Sequence, residues 1–148
     1  MLAATDVVVS GVNWGENLGP VIAASGTIGA ARAAVRLGVP ALAISQGAGD
    51  PPDFEEGAAL AAAWLQDHRV ELVAGTAPLV VTSINAPTCV TGEPRGLRTV
   101  PVAANAAGPN SPRADCASTK LGVVDDVDGF LNGFATLSTF DSDLHPLS

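Results

Sequence analysis

Apolar residues in this chain come in short blocks separated by glycine, proline and asparagine, and the spacing inside each block predicts its element. Asp6-Val7-Val8-Val9-Ser10 is a β-branched run that stops at Gly11, which predicts a buried parallel strand. Gly11 to Gly19 then reads as a glycine- and asparagine-rich loop. From Ser25 the spacing turns helical, with Ile28, Ala31, Val35 and Leu37 on one side. Ser25 is placed to cap that helix, and Gly38 followed by Pro40 to stop it. Ala41-Leu42-Ala43-Ile44-Ser45 is a second apolar strand. Strand, helix and strand in that order make a βαβ unit with a right-handed crossover.

Further along, Gln46 to Pro52 is a loop, and Asp53 is placed to cap a second helix. Its expected apolar face runs through Phe54, Ala58, Ala61, Trp64 and Leu65. Leu79 to Ile84 predicts a third strand, closed by Asn85-Ala86-Pro87, and Leu97 to Val102 a fourth. Residues 103–119 form a long irregular stretch, of the kind that is functional, an oligomer contact or disordered. Asp125 or Asp126 then caps a short helix through Phe130, and Phe134 to Ser138 reads as a last strand before a polar tail. The class that follows is α/β: one domain over 1–148, a mostly parallel sheet with helices, and strands and loops added in the second half.

Composition narrows the ligands more than the fold. With 148 residues, 47% of them hydrophobic and 15% charged, the chain is long and apolar enough for a core and is no disordered segment. The net charge is −8, Lys120 is the single lysine, and the arginines are scattered. Nucleic acid polymers and anionic membrane surfaces need clustered cations, so neither is an expected partner. No apolar run reaches the ~18 residues of a membrane span. Met1 to Thr5 lacks a basic start and a long apolar region, so no signal peptide is expected. A small phosphorylated ligand stays compatible, because backbone amides and a metal ion can hold one. Cys89 and Cys116 fit no metal spacing, which leaves two states open: free thiols, or a bridge adding roughly 3 kcal/mol.

The segment richest in possible chemistry is Ser10-Gly11-Val12-Asn13-Trp14-Gly15-Glu16-Asn17-Leu18-Gly19, with Ser25-Gly26-Thr27 beyond it. It follows a strand, where open α/β sheets bind ligands, yet it matches neither a P-loop nor a dinucleotide fingerprint. Its glycines allow a ligand close to the backbone, and Asn13 offers an amide oxygen to a hard cation. Ser25, Gly26 and Thr27 open a helix, where free N–H groups and two hydroxyls suit an anion. The same composition also makes an ordinary turn and an ordinary cap, so the residues alone leave both readings standing. Asp125-Asp126 reads as capping rather than catalysis, and Asp50, Asp53, Glu55 and Glu56 as complements to a helix dipole. Glu16 is the one carboxylate inside the loop that suits a stand-in ligand. Trp14 either packs over the loop or stacks on a base, and His68 and His145 read as solvated.

The loop resembles the SGxNxGxN loop of the SurE family, followed by that family's [Y]SGT-[VI]-GAA helix start. Ser83-Ile84-Asn85-Ala86-Pro87 is similar to its NVNxP strand end, and Arg95 to Val100 to its next strand. Asp126 to Ser138 resembles D-x-x-A-x-x-x-G-[YF]-[VIA]-[ST]-[VL]-[ST]. The resemblance implies a Rossmann-like α/β fold and a phosphomonoesterase, a 5'/3'-nucleotidase acting on nucleoside monophosphates with one divalent cation, Mg²⁺ or Mn²⁺. It implies a homodimer or higher homo-oligomer. It puts Asn13 at the metal, Ser25, Gly26 and Thr27 at the phosphate, and gives Gly11, Gly15 and Asn17 the shaping of the loop. The family's tyrosine before SGT is Ala24 here. Its first strand, ending in an Asp-Asp pair, and a metal-contacting serine have no counterpart, since only five residues precede Asp6. The expectation is therefore a chain with no assigned catalytic carboxylate, weak or absent metal binding, and an open apolar edge at residues 6–10. Ordinary members of the family are cytoplasmic, whereas a Cys89–Cys116 bridge would suit export, and the sequence leaves both open.

Overall fold

The computed structural model describes residues 4–106 and 113–147. In chain order its elements are β1 (Val8–Trp14), a 3-10 turn (Gly19–Ala23), α1 (Gly26–Arg36), β2 (Ala41–Gln46) and α2 (Glu55–Ala74). β3 (Val81–Ala86), β4 (Leu97–Thr99), α3 (Asp126–Leu131) and β5 (Ala135–Phe140) follow. The five strands form one sheet in the order β1-β2-β3-β5-β4. β1, β2 and β3 run parallel, β5 is antiparallel to β3, and β4 is parallel to β5.

β2 and β3 are buried along their whole length, as continuous apolar runs require when both sheet faces are covered. Successive side chains alternate between the faces. Ala41, Ala43 and Val81 pack with Ile28, Ala31, Ala34 and Val35 of α1. Leu42, Ile44 and Ile84 pack instead with Ala61, Leu60 and Trp64 of α2. The helices therefore cover opposite faces, and the α/β class read from the sequence holds. Each fully buried Leu or Ile in these layers contributes about 1.5–3 kcal/mol.

Several boundaries differ from the sequence reading. β1 does not stop at Ser10 but runs on to Trp14, so Gly11, Val12 and Asn13 are strand residues. A register slip between Ser10 and Asn13 lets the strand continue. Gly11 has φ +120°, and a Cβ there would meet the Ile44 carbonyl at 2.2 Å, so only glycine fits against β2. Leu37, expected on the core side of α1, is 83% exposed. α2 buries Gly57, Ala61 and Leu72, while Phe54 and Ala58 are exposed. Asp53 lies two residues before the helix and accepts the Glu55 N–H at 2.9 Å, while the N-cap position itself is Phe54. β4 is only Leu97–Thr99, since Pro101 lacks the N–H that would carry the ladder on. Asp125, not Asp126, caps α3 by accepting from the Asp128 N–H.

β1 is an edge strand: β2 is its one partner among the described residues, and Val9 is 41% exposed. Beside it, Asp6 and Val7 line a groove with Ala62, Leu65, Leu72 and Val73 of α2. Of the long stretch 103–119, residues 107–112 lie outside the described residues. The rest of it is neither helix nor strand, and is held by side chains such as Asp126 and Asn132 and by backbone bonds such as the Asp115 N–H to the Leu131 carbonyl.

Cys89 and Cys116 are joined in a disulfide, their Cα atoms 5.7 Å apart. The bridge sits in a small core of Leu18, Ala114, Phe130, Val127 and Leu131. It ties the segment after β3 to the segment before α3. Gly92 and Gly133 lie so close to Cys116 that a Cβ would come within 2.8 and 2.6 Å of its backbone. Closing a loop across 27 positions restricts the unfolded chain by about 3.5 kcal/mol. Reduction is expected to lower the stability by about that amount, read as a drop in denaturation midpoint. Titration under denaturing, non-reducing conditions should find no free thiol, and two reactive thiols would refute the bridge.

Candidate functional site

β1 delivers its last residues to the carboxyl edge of the parallel strands, the edge at which open α/β sheets hold ligands. Asn13 is in register with Ser45, and Trp14 with Gln46. Ser45 is in register with Asn85 of β3. Asn13, Ser45 and Asn85 therefore share the α1 face, while Trp14 and Gln46 share the α2 face. The Asn13 Nδ2 donates to the Gly15 carbonyl at 2.7 Å. That bond orients the amide and leaves Oδ1 as its free end among the described residues.

Asn17 is buried and holds the loop down. Its N–H donates to the Asn85 Oδ1 at 2.7 Å, and its Nδ2 to the Ser45 Oγ at 2.8 Å. The Asn85 Nδ2 returns a bond to the Asn17 carbonyl at 3.2 Å. On the opposite face the buried Gln46 does the same for α2. Its Oε1 accepts the Gly57 N–H at 2.8 Å, and its Nε2 donates to the Pro87 carbonyl at 3.0 Å and the Thr88 Oγ1 at 3.1 Å.

α1 starts on the same face and at the same edge as Asn13. The Ser25 Oγ accepts the Ile28 N–H at 3.1 Å, so Ser25 is a true cap whose hydroxyl proton is still free to donate. The N–H groups of Gly26 and Thr27 have no carbonyl within the helix, and no acidic residue lies in the first turn. The predicted anion-holding residues Ser25, Gly26 and Thr27 thus stand together, on the side of the sheet that carries Asn13. Gly15 has φ +101° and its N–H donates to the Gln46 carbonyl at 2.8 Å, so it closes the turn after β1. Gly11 belongs to β1 and serves by close packing on β2, which corrects its assignment to the loop.

Past Trp14 a cavity of about 330 Å³ opens at this edge, lined by Trp14, Glu16, Gly49, Asp50, Arg113 and Phe130 among others. The Trp14 indole is 55% exposed, and its Nε1 donates to the Gly49 carbonyl at 3.3 Å. His68, expected to be solvated, stacks on Trp64 with ring centroids 4.4 Å apart. His145 pairs with Asp141 in the tail.

Asp126, a candidate cap in the sequence, is a structural tie instead. It is 2% exposed and accepts the Gly19 N–H at 2.9 Å and the Ala103 N–H at 2.7 Å. Burial raises its pKa, and those backbone bonds oppose the rise. It fastens the end of the glycine loop and residue 103 to the start of α3. The Asp-Asp dipeptide was visible, but nothing local tells which carboxylate turns inward.

The family model described as Survival protein SurE matches residues 1–108 of this chain. The chain belongs to the SurE family. The 5'-nucleotidase SurE of Anaeromyxobacter dehalogenans (strain 2CP-1 / ATCC BAA-258) is 44% identical over 97 residues, 65% of this chain and 35% of that protein. The 5'-nucleotidase SurE of Leptospira biflexa serovar Patoc (strain Patoc 1 / Ames) is 38% identical over 88 residues, 59% of this chain and 34% of that protein. The crystal structure of the SurE protein from Aquifex aeolicus shares the fold. It aligns with a TM-score of 0.66 at 24% identity, over 95% of this chain and 60% of that one. This SurE chain thus spans about a third of the length of the curated relatives it matches.

The divalent cation implied by the SurE resemblance can be tested against the donors present. Asn13 supplies one neutral oxygen. Among the described residues no group of three or more His, Cys, Asp or Glu could hold a metal ion. Mg²⁺ is normally held by one or two carboxylates together with water and substrate phosphate. The described residues of this SurE chain therefore do not make a complete metal site.

A second acidic position, Glu56, opens α2 behind Gln46. Burial, with help from Asp53 and Glu93, pushes its pKa up to about 7. The folded state thus holds a proton that the unfolded chain releases at about 4.3. Stability is fully present below that lower value and falls as pH rises toward 7. Glu56→Gln should remove this slope and add about 1 kcal/mol at pH 8, solvent screening at this half-exposed site limiting the gain. Denaturation midpoints at pH 5 and pH 8 check it; parallel curves for both proteins would rule Glu56 out.

Proposed function

We propose that this chain works in the hydrolysis of nucleoside monophosphates, as part of a metal-dependent phosphomonoesterase of the 5'/3'-nucleotidase type. One observation carries the reading. The free N–H groups and hydroxyls of Ser25, Gly26 and Thr27 share a sheet face and edge with the free oxygen of Asn13. Phosphate at the start of α1 meets donors and the positive end of the helix dipole. Family membership and the names of the matched relatives, 5'-nucleotidases, support the same direction.

In this reading Ser25 and Thr27 steady the phosphoryl oxygens as charge builds on them during attack by water. Asn13 is one oxygen ligand for a divalent cation, Mg²⁺ or Mn²⁺. Water attack also needs a base, and Asn13 has no basic group to offer. Glu16, three residues beyond Asn13, is the carboxylate of this loop. Turnover thus depends on carboxylates additional to the amide and hydroxyls gathered here.

The incomplete donor set favours a second reading, in which the chain binds phosphate at α1 without hydrolysing it. Hydrolysis of 5'-AMP and of a chromogenic phosphomonoester, with Mg²⁺, Mn²⁺ or a chelator, separates the two. In a form that carries the additional carboxylates, metal-dependent turnover that Asn13→Ala lowers by about 10²-fold or more is the expected result. Unchanged turnover in the variant removes Asn13 from the site. A folded chain without turnover that still binds phosphate by calorimetry points to the second reading, and one that binds none refutes the anion site.

The reading includes assembly into a homodimer or larger homo-oligomer, which the apolar edge at β1 favours. Sedimentation at two concentrations should show self-association, and a single monomeric species at both would exclude it.

A further inference from the structure

The lining of the cavity beyond Trp14 includes none of Asn13, Ser25, Gly26 and Thr27, and its chemistry differs from that of the α1 start. Two of its side chains, Glu16 and Asp50, are carboxylates, against the one guanidinium of Arg113. A doubly charged phosphate is disfavoured between two carboxylates. A neutral group rich in N–H and O–H donors suits them.

The apolar part of the cavity is aromatic. Trp14 keeps more than half of its surface exposed, at 55%, and its one polar atom is tied to the Gly49 carbonyl. The indole is thus fixed in place with no polar atom left over. Phe130 lines the same space. One wall is backbone. A Cβ at Gly47 would come within 2.8 Å of the Phe130 ring, and one at Gly49 within 2.8 Å of the Thr88 methyl. That wall cannot acquire side chains without displacing its neighbours. A flat aromatic, a thin glycine wall and acceptors at the rim match a planar heterocycle joined to a polyol. At about 330 Å³ the space lies in the range of small-molecule sites. Trp14 directly follows Asn13 but points to the other face, so a ligand could reach from the α1 face across the strand end into this cavity.

We propose that this cavity is the nucleoside subsite, with Trp14 as the stacking surface for the base and Glu16 and Asp50 as acceptors for its donors. The proposal rests on the nucleotidase reading for the choice of ligand, but not on any turnover.

Adenosine, which has no phosphate, is the probe. Trp64→Phe leaves Trp14 as the sole indole, and its fluorescence is followed as adenosine is added. Calorimetry on the unaltered chain repeats the titration without relying on that variant. Saturable quenching is expected, with binding weakened about tenfold or more by Trp14→Leu, a loss typical of a base-stacking aromatic. The thermal midpoint of Trp14→Leu establishes that it is folded. Adenosine bound by a chain that hydrolyses nothing upholds the subsite and points to the second, non-hydrolysing reading of the chain. AMP hydrolysed by a chain that neither binds adenosine nor is inhibited by it overturns the subsite alone. Equal adenosine affinity in Trp14→Leu also overturns it.

Discussion

The site depends on buried amides that have no water to bond. Asn17, Asn85 and Gln46 sit at the carboxyl ends of the parallel strands, each at most 7% exposed. A buried amide left unpaired costs about 1–3 kcal/mol, so each must find partners within the protein. Asn17 and Asn85 find them in each other and in Ser45, and this fastens the loop after β1 across two strands. Gln46 finds them in Gly57, Pro87 and Thr88, and this fastens the start of α2 to the end of β3. One amide system therefore sets the edge on the α1 face and the other on the α2 face. Loosening either would shift the backbone that presents Asn13 or Trp14.

Those two systems divide the edge into unlike halves. On the α1 face stand hydroxyls and free N–H groups with no acid in the first helical turn. Around Trp14, which points to the α2 face, stand carboxylates and glycine backbone. In a chain of net charge −8, the start of α1 is a local exception, with donors and no acidic residue in its first turn. The strand end between Asn13 and Trp14 is the boundary, since alternation along a strand sends neighbouring side chains to opposite faces. A ligand with one anionic end and one neutral planar end matches that division.

Much of this was legible in the chain. Ala41 to Ile44 gave its strand because a continuous apolar run bounded by Pro40 and the Gly47–Gly49 loop has few other outcomes. Ser25, with Ile28, Ala31 and Val35 at helical spacing, gave α1 and its cap. Grouping Asn13 with Ser25–Thr27 needed only a strand, a crossover and a helix. What escaped was tertiary. Gly11 looks like a loop residue until β2 lies against it, because its need for glycine comes from the Ile44 carbonyl and not from a turn. Asp126 looks like a cap beside Asp125, and only the approach of Gly19 and Ala103 draws it inside. Phe54 and Ala58 lost their expected burial because helical periodicity gives a stripe but not its angle when nearly every residue is small. The bridge could not be read from two cysteines, since spacing alone says nothing of the 5.7 Å between their Cα atoms.

β1 carries one further consequence, for how the chain reaches its fold. Among the described residues its outer side offers unpaired peptide groups flanked by valine, which another extended segment can match as readily as β2 matched the inner side. Pairing within the molecule is first order in chains, and pairing between molecules is second order. Dilute refolding therefore favours the sheet described here. At higher concentration the same ladder chemistry that builds the fold also recruits neighbouring chains, and the yield of the native sheet becomes a matter of which encounter happens first.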